Sequence, residues 1–291
     1  MWKYTGSSVL ALCLAAAAHA GPLGTVTIAD GRAHLARATT IHAVGEGVAV
    51  EEGDILDLEE GALVQIELND GSALSFTSRA QALLPAPGTG GRPSDLFLAG
   101  GWVKFSLASA VQVPALNLPQ LRLVSQAASY VATTGAEGSQ LFVESGELLP
   151  VFAVSRAGQP AVLRANEYVG IKTDSTVAVA GRAPQGFVSA MPRLYMDKLP
   201  QRLARLKARG VPPKVEREAG FAEVDGWFKR YPVARALFIE RFKPLLRDKD
   251  FVRELEPSLK SYPEWESLLR PDKSRGKVPA KDKPKAPSKA Q

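Results

Sequence analysis

The fold of this chain is decided by the stretch Gly53–Phe76, which reads GDILDLEEGALVQIELNDGSALSF. Apolar side chains alternate with the polar Gln65 and Glu67 along residues 64–68. That period of two predicts a strand with one face in a core and the other in water. The turn Asn69-Asp70-Gly71 accepts positive φ, and the alternation resumes after it, so the stretch predicts a β-hairpin.

Similar turn signals punctuate the sequence around this hairpin. Asp30-Gly31 follows an alternating run and predicts a hairpin turn, and Gly45-Glu46-Gly47 and Glu52-Gly53 follow two further runs. Turns spaced roughly every 8–12 residues are typical of all-β domains. The segment Pro85–Pro93, rich in proline and glycine, predicts a surface loop.

Size and composition set limits on function. The chain has 291 residues, of which 45% are hydrophobic, and this size favours two domains. Residues 21–190 carry an excess of acidic side chains, whereas residues 191–291 carry an excess of basic ones. The only cysteine is Cys13, in a segment that we expect to be removed, so disulfides and thiolate chemistry are excluded from the mature chain.

Residues 1–20 have the layout of a secretory signal peptide. One charge at Lys3 precedes an apolar core and the ending Ala18-His19-Ala20. We expect cleavage after Ala20 and a periplasmic protein that does not span the membrane. Two alternatives are a short membrane anchor, for which the apolar run is too short, and a lipoprotein signal at Cys13, which lacks a small residue at Leu12.

Around Met191 the period changes from two to that of helices. Leu199, Leu203 and Leu206 have helical spacing, and Tyr231-Pro232 predicts the start of another helix. The sequence also predicts an N-cap at Asp248, and a capping box from Ser261 to Glu264 with Pro263 in the first turn. The aromatic side chains of this half are expected to form a packed core: Phe228, Tyr231, Phe238, Phe242, Phe251 and Trp265.

The expected architecture is a mainly β N-terminal domain, solenoid-like or sandwich-like, followed by an all-α C-terminal domain. The predicted segments are a signal peptide (1–20), a β domain (21–180), a linker (181–192), a helical domain (193–270) and a disordered basic tail (271–291). The similar segments that begin at Lys229 and Lys260 suggest helical repeats, although proline at a helix start is common in any case.

Four segments resemble the periplasmic FecR-like domain. They are Gly53–Leu74, Gly101-Trp102-Val103, Phe142–Leu148 and Leu163–Glu167, where Asn166 replaces a glycine of the family pattern. The resemblance implies a twisted β domain used for protein contact rather than catalysis. Family members that act as anti-sigma regulators also have a cytoplasmic helical domain and a transmembrane helix. We see neither here, and an exported protein would not reach a cytoplasmic sigma factor.

Catalytic motifs are absent from the sequence. His34 and His42 would share a face only if one strand joined them, so surface positions explain them better than a metal pair. The acidic run from Glu51 to Glu60 lacks an EF-hand pattern. We therefore expect no enzyme activity, no cofactor and no metal site, although a pair of carboxylates distant in sequence could still form a hydrolase site.

The sequence predicts a non-enzymatic periplasmic binding or scaffolding protein of the cell envelope. One alternative is a soluble accessory in envelope-stress or transport signalling, and another is a glycan hydrolase associated with peptidoglycan. The expected partner is an envelope protein or an anionic envelope polymer and not nucleic acid, and the lysines of the tail are either a solvated segment or part of that contact. The candidate contact residues are Trp102, Arg92 and Asp70, and the oligomeric state is open.

Overall fold

The computed structural model describes residues 22–85, 95–107, 115–155, 158–197, 199–207 and 211–270. Three predicted features lie outside these residues: the export signal (1–20), Arg92 with most of its loop, and the basic tail (271–291). Among the described residues, no helix is both long enough and apolar enough to cross a bilayer.

The described strands belong to one mainly antiparallel sheet of 15 strands. They are β1 (Gly24–Asp30), β2 (Ala33–Arg37), β3 (Thr40–Ala43), β4 (Ala49–Val50), β5 (Ile55–Leu58), β6 (Leu63–Leu68), β7 (Ala73–Leu83), β8 (Leu96–Ser106), β9 (Leu116–Leu118), β10 (Leu121–Gly135), β11 (Gly138–Phe152), β12 (Leu163–Arg164), β13 (Tyr168–Lys172), β14 (Val177–Ala180) and β15 (Lys214–Glu218). The mainly β first half is confirmed, and so is the hairpin of β6 and β7 around the turn at Gly71, whose φ is +87°.

A bend in β7 divides the sheet into two branches. Ser78 and Arg79 both have positive φ, 49° and 58°, which redirects the strand between its two halves. The first half pairs with β6, and the second half pairs with β5. On the neighbouring strand, Gly101 faces this bend, and a Cβ there would lie 2.5 Å from the Cα of Ala80, so the close approach requires glycine.

The two branches share one apolar core. β1, β4 and β6 form one branch, and β2, β3 and β5 form the other, and both contribute buried side chains to the same cluster. Because β1 pairs with β4 and β6 but not with β2, the hairpin predicted at Asp30-Gly31 is wrong. The chain instead passes there from one branch to the other. The sequence Asp30-Gly31 is compatible with a hairpin turn, but long-range strand pairing determines which strands lie beside β1.

The outer face of β6 is buried, contrary to the prediction that it faces water. Gln65 and Glu67 expose only 1% and 2% of their surface. Residues 199–207, here called the strap, cross this face. The Glu67 carboxylate accepts hydrogen bonds from the backbone N–H groups of Arg202 (2.6 Å) and Leu203 (3.0 Å). A polar strand face therefore became an internal docking surface because a distant segment supplies its hydrogen-bond partners.

The described part of the second half contains six α-helices but is not all helical. They are α1 (Gln185–Ala190), α2 (Leu203–Lys207), α3 (Phe221–Arg230), α4 (Arg235–Phe242), α5 (Lys249–Leu255) and α6 (Pro263–Leu269), with 3₁₀ turns at Arg193–Met196, Pro232–Ala234, Lys243–Arg247 and Glu256–Ser261. Helix α1 lies within the predicted linker. Strand β15 pairs with β3 and so extends the sheet of the first half, which corrects the all-α prediction.

The predicted aromatic core of the helices is confirmed, but it also includes one face of the sheet. Its six aromatic side chains are all buried. The same cluster includes Ala36, Ile41, Ile55 and Leu83 of the strands. The helices therefore pack against one face of the sheet and share this cluster with it.

Two predicted helix starts have different outcomes. The N-cap at Asp248 is confirmed, because its carboxylate accepts from the N–H groups of Asp250 (2.7 Å) and Phe251 (3.2 Å). The capping box at Ser261 is wrong, because α6 has Tyr262 at its N-cap and no side-chain cap. Glu264 forms an ion pair with Arg235 instead, at 2.8 Å.

Arg241 of α4 attaches the helices to the sheet. Its guanidinium donates to the backbone oxygens of Ala36 (2.6 Å), Ala38 (2.9 Å) and Gly53 (2.5 Å). Burial lowers the pKa of Arg241 to about 10, and the carboxylate of Asp54 opposes that shift. The side chain remains charged near neutral pH and binds all three carbonyl groups.

Replacing Glu67 with alanine should release the strap, because two backbone N–H groups lose a charged acceptor. Each such bond contributes about 1.5–3 kcal/mol, so trypsin cleavage within the strap should become at least about tenfold faster. Limited proteolysis measures this rate. Glu147→Ala, on an exposed stretch of β11, is the matched control and should leave the rate unchanged. Equal rates in both variants would contradict the docking role of Glu67.

Replacing Arg241 with methionine should lower the free energy of unfolding by about 3–5 kcal/mol, because three carbonyl acceptors lose their donor. Urea denaturation measures the change. Arg253→Met removes an exposed ion pair with Asp250 and should cost only about 0–1 kcal/mol. If the two variants were equally stable, Arg241 would not be the attachment point proposed here.

Candidate binding site

A cleft of about 440 Å³ opens where the sheet meets the helices. It lies between β8 and β9 on one side and the end of α3 on the other. Its lining residues are Phe97, Leu98, Ala99, Asn117, Leu118, Pro119, Lys229, Arg230, Tyr231, Pro232 and Val233. This volume falls within the range of roughly 300–1,000 Å³ that is typical of ligand pockets.

The walls of the cleft are mainly apolar and come from both halves of the chain. On β8, Phe97 alternates with the buried Leu96 and Leu98, so its ring points away from the first core and toward the helices. On the helical side, Val233 is 70% exposed. Pro232 interrupts the helix between α3 and α4, which brings Val233 to the surface at this point.

The rim carries polar groups of both signs. Lys229 Nζ lies 2.6 Å from a carboxylate oxygen of Asp225, one helical turn earlier. On the opposite rim, the amide of Asn117 donates to Asp95 (2.8 Å), and the guanidinium of Arg122 binds both oxygens of the same carboxylate. These bonds hold the rim side chains in place and leave the Lys229 side chain 73% exposed to an incoming group.

A group of buried polar side chains joins α3 to β5 behind the cleft. Trp227 Nε1 donates to Asp57 at 3.2 Å. Within the described part of the chain, Asp57 Oδ1, Arg230 Nε and the Tyr231 hydroxyl are buried without a hydrogen-bond partner. Their charges still act on one another, since Arg230 opposes the shift that burial imposes on Asp57. A buried group of two donors and one acceptor is the kind of site that an ordered water satisfies.

Burial is the main influence on the ionisation of these groups. It raises the pKa of Asp57, while the attraction of Arg230 and the hydrogen bond from Trp227 act in the opposite direction. Burial also raises the pKa of the Tyr231 hydroxyl, and the negative charge of Asp57 adds to that effect. Tyr231 therefore stays protonated at neutral pH.

The two histidines do not form a metal site. His34 lies opposite Ala43 and His42 lies opposite Leu35 in the β2–β3 hairpin, so their side chains point to opposite faces. His34 Nδ1 is 2.9 Å from Glu216, whereas His42 is buried. More broadly, the described ranges contain no group of three or more His, Cys, Asp or Glu side chains that could hold a metal ion.

Two of the predicted contact residues, Trp102 and Asp70, do not line the cleft. Trp102 is half-buried and packs against Phe187 of α1, with ring centroids 5.3 Å apart. Asp70 stabilises the β6–β7 turn, because its carboxylate accepts from the N–H and hydroxyl of Ser72 (2.9 and 3.1 Å). Arg92 lies outside the described residues. Trp102 thus packs on α1 and Asp70 lies in the β6–β7 turn, and the role of all three residues in contacts stays a prediction.

Sequence reasoning did not identify Phe97, Lys229 or Val233 as candidates. The available signal was the pair Tyr231-Pro232, which ends α3 and changes the chain direction. Tyr231 has φ −124° and ψ 61°, a non-helical conformation favoured before proline. That signal locates the break in the helix, but not the strand that faces it.

Replacing Asp57 with asparagine should stabilise the fold increasingly as pH rises from about 4, the ordinary pKa of an aspartate, through the raised pKa of the folded state. A carboxyl whose pKa is raised in the folded state binds more protons when folded, so the wild type loses stability as pH rises through that interval. Asparagine has no charge to bury. Thermal unfolding at several pH values measures the difference. A difference that shrinks with rising pH would contradict the direction of the shift.

Comparison with known proteins gives little similarity. No family model matches the chain, and no curated protein matches it. Two crystal structures, each of a “putative anti-sigma factor from Parabacteroides distasonis ATCC 8503”, are similar to it at 14% sequence identity and a TM-score of 0.38. The similarity covers 46% of this chain and 62% and 63% of those chains, less than two thirds of their length.

Proposed function

We propose that this protein is a non-enzymatic binding protein of the cell envelope, and that its cleft receives an apolar group with a neighbouring negative charge from an envelope protein. The glycine-spaced strands of the first half form, in this proposal, a FecR-like domain. Export rests on the signal-peptide pattern of residues 1–20. The observation that carries the proposal is the apolar cleft of about 440 Å³ with a lysine at its rim.

The walls of the cleft support binding at a preformed site. One wall is a strand fixed in a 15-stranded sheet, and the other is the end of α3, which the shared aromatic core holds against that sheet. Sites of this kind lose little conformational entropy when they bind. An apolar side chain of a partner would cover Phe97 and Val233, the second of which is largely exposed in the free protein.

The charges at the rim favour an acidic neighbour on the partner. Lys229 and Arg230 both line the cleft. Asp225 holds Lys229, but the lysine side chain remains mostly exposed and can turn toward an incoming carboxylate. A purely anionic polymer would contact these two cations but not the apolar wall. A protein segment that has both an apolar and an acidic side chain therefore fits the cleft better.

A photo-crosslinking amino acid at position 233 tests the proposal in cells that export the protein. We expect it to capture one discrete envelope protein, because Val233 lies at the mouth of the cleft. The same amino acid at Val215, which is also exposed (60%) but lies on β15, is the control and should not capture that protein.

The captured partner should then bind the purified protein, and Lys229→Glu should weaken that binding at least about tenfold, as expected for loss of a favourable charge pair and gain of a repulsive one. Isothermal titration calorimetry measures the affinity. Equal capture at both positions, or binding that is unaffected by Lys229→Glu, would overturn the assignment of the cleft.

A further inference from the structure

Strand β14 is an exposed end of the sheet. Among the described residues it pairs only with β13, in the register Gly170 opposite Ala178. Its sequence, Val177-Ala178-Val179-Ala180, has no charge and no proline. Natural proteins protect edge strands with charges, prolines or bulges, so an unprotected apolar edge indicates a surface that pairs with another strand.

The hydrogen-bond pattern shows which groups of β14 point outward. The N–H of Lys172 donates to the oxygen of Thr176 (2.9 Å), and hydrogen-bonded pairs of an antiparallel ladder recur at every second residue. Ala178 and Ala180 therefore bond to β13. The N–H and C=O groups of Val177 and Val179 point to the open edge.

The side chains of β14 leave apolar surface at the same edge. Val177 packs against the main core, and Val179, two residues on, projects from the same face but is 48% exposed. The core-side face of the sheet thus continues to its last strand and leaves Val179 about half exposed. An added strand with an apolar residue opposite Val179 would complete this face.

We propose that a second copy of this chain supplies that strand, through antiparallel pairing of β14 with β14 about a two-fold axis at Ala178. This register places Val177 of each copy opposite Val179 of the other copy. The outward groups of these valines then form four backbone hydrogen bonds, and each exposed Val179 is covered by a valine. Such an isologous contact is the usual form of homodimer interfaces.

Charge complementarity selects a second copy and this register. Asp174 lies four residues before Ala178 and Arg182 lies four residues after it. The two-fold axis therefore places Asp174 of each copy at the same level along the strand direction as Arg182 of the other. Asp174 is held at the β13–β14 turn by the N–H of Thr176 (2.8 Å), and Arg182 is exposed. A shift by two residues would separate these opposite charges, whereas an unrelated strand would not match both ends.

Cysteine crosslinking tests this register in the full chain, with Cys13 replaced by serine. At the axis, Ala178→Cys would face itself in a non-hydrogen-bonded pair with Cα atoms about 4.5 Å apart, a distance that permits a disulfide. Mild oxidation should give a covalent dimer. Thr176→Cys is the matched control on the same face, where four residues of offset separate the two Cα atoms by about 13 Å, so it should remain monomeric on a non-reducing gel.

Sedimentation measures the dimer without crosslinking. The unmodified chain should sediment as a dimer, and Val179→Pro should halve the apparent mass, because proline removes an outward N–H without affecting the ladder to β13. An unchanged far-UV circular dichroism spectrum would show that the variant is folded. The proposal would be overturned if the unmodified chain were a monomer, or if the dimer persisted in Val179→Pro. Equal crosslinking at positions 176 and 178, or another protein bound to β14, would also overturn it.

Discussion

The structure depends on one branch of the sheet being apolar on both faces. Along β2 and β5, Leu35 and Leu56 point into the core between the branches, while Ala36 and Ile55 point toward the helices. Neither face could be exposed to water without losing a large area of apolar burial. The helices in turn need this face, because the aromatic core that they build closes against it. The strands of the first half therefore complete the core of the helices.

Polar contacts fix the position of the helices on that apolar surface. Hydrophobic contact is non-directional and would allow several placements. Arg241 bound to three carbonyl oxygens, Glu67 bound to the strap and Trp227 bound to Asp57 each require one relative position. The position of α3 against β8, and with it the width of the cleft, follows from these bonds as much as from packing.

Local features were predictable from sequence, and long-range ones were not. The β6–β7 hairpin and the N-cap at Asp248 depend on neighbouring residues, and both are present. By contrast, the burial of Glu67 depends on a strap more than 130 residues away. Alternation shows that a strand has two kinds of face, but it does not show what covers the polar one.

The candidate site is one of the long-range features that the sequence did not predict. The break at Tyr231-Pro232 could be predicted, because proline ends a helix and restricts the residue before it. Its partner wall on β8 could not, since no local pattern relates Phe97 to the end of α3. Sequence reasoning instead selected Trp102, an aromatic residue on the same strand, whose ring packs against α1.

The pairing of β15 with β3 has a consequence for how the chain folds. Lys214 lies opposite Ala43, so one edge of the first-half sheet closes only when a segment about 170 residues later has joined it. Contacts between residues so far apart in sequence have a high entropic cost of loop closure, and they slow folding. In a chain emerging from the ribosome, this edge of the sheet therefore stays open until β15 (Lys214–Glu218) has been made.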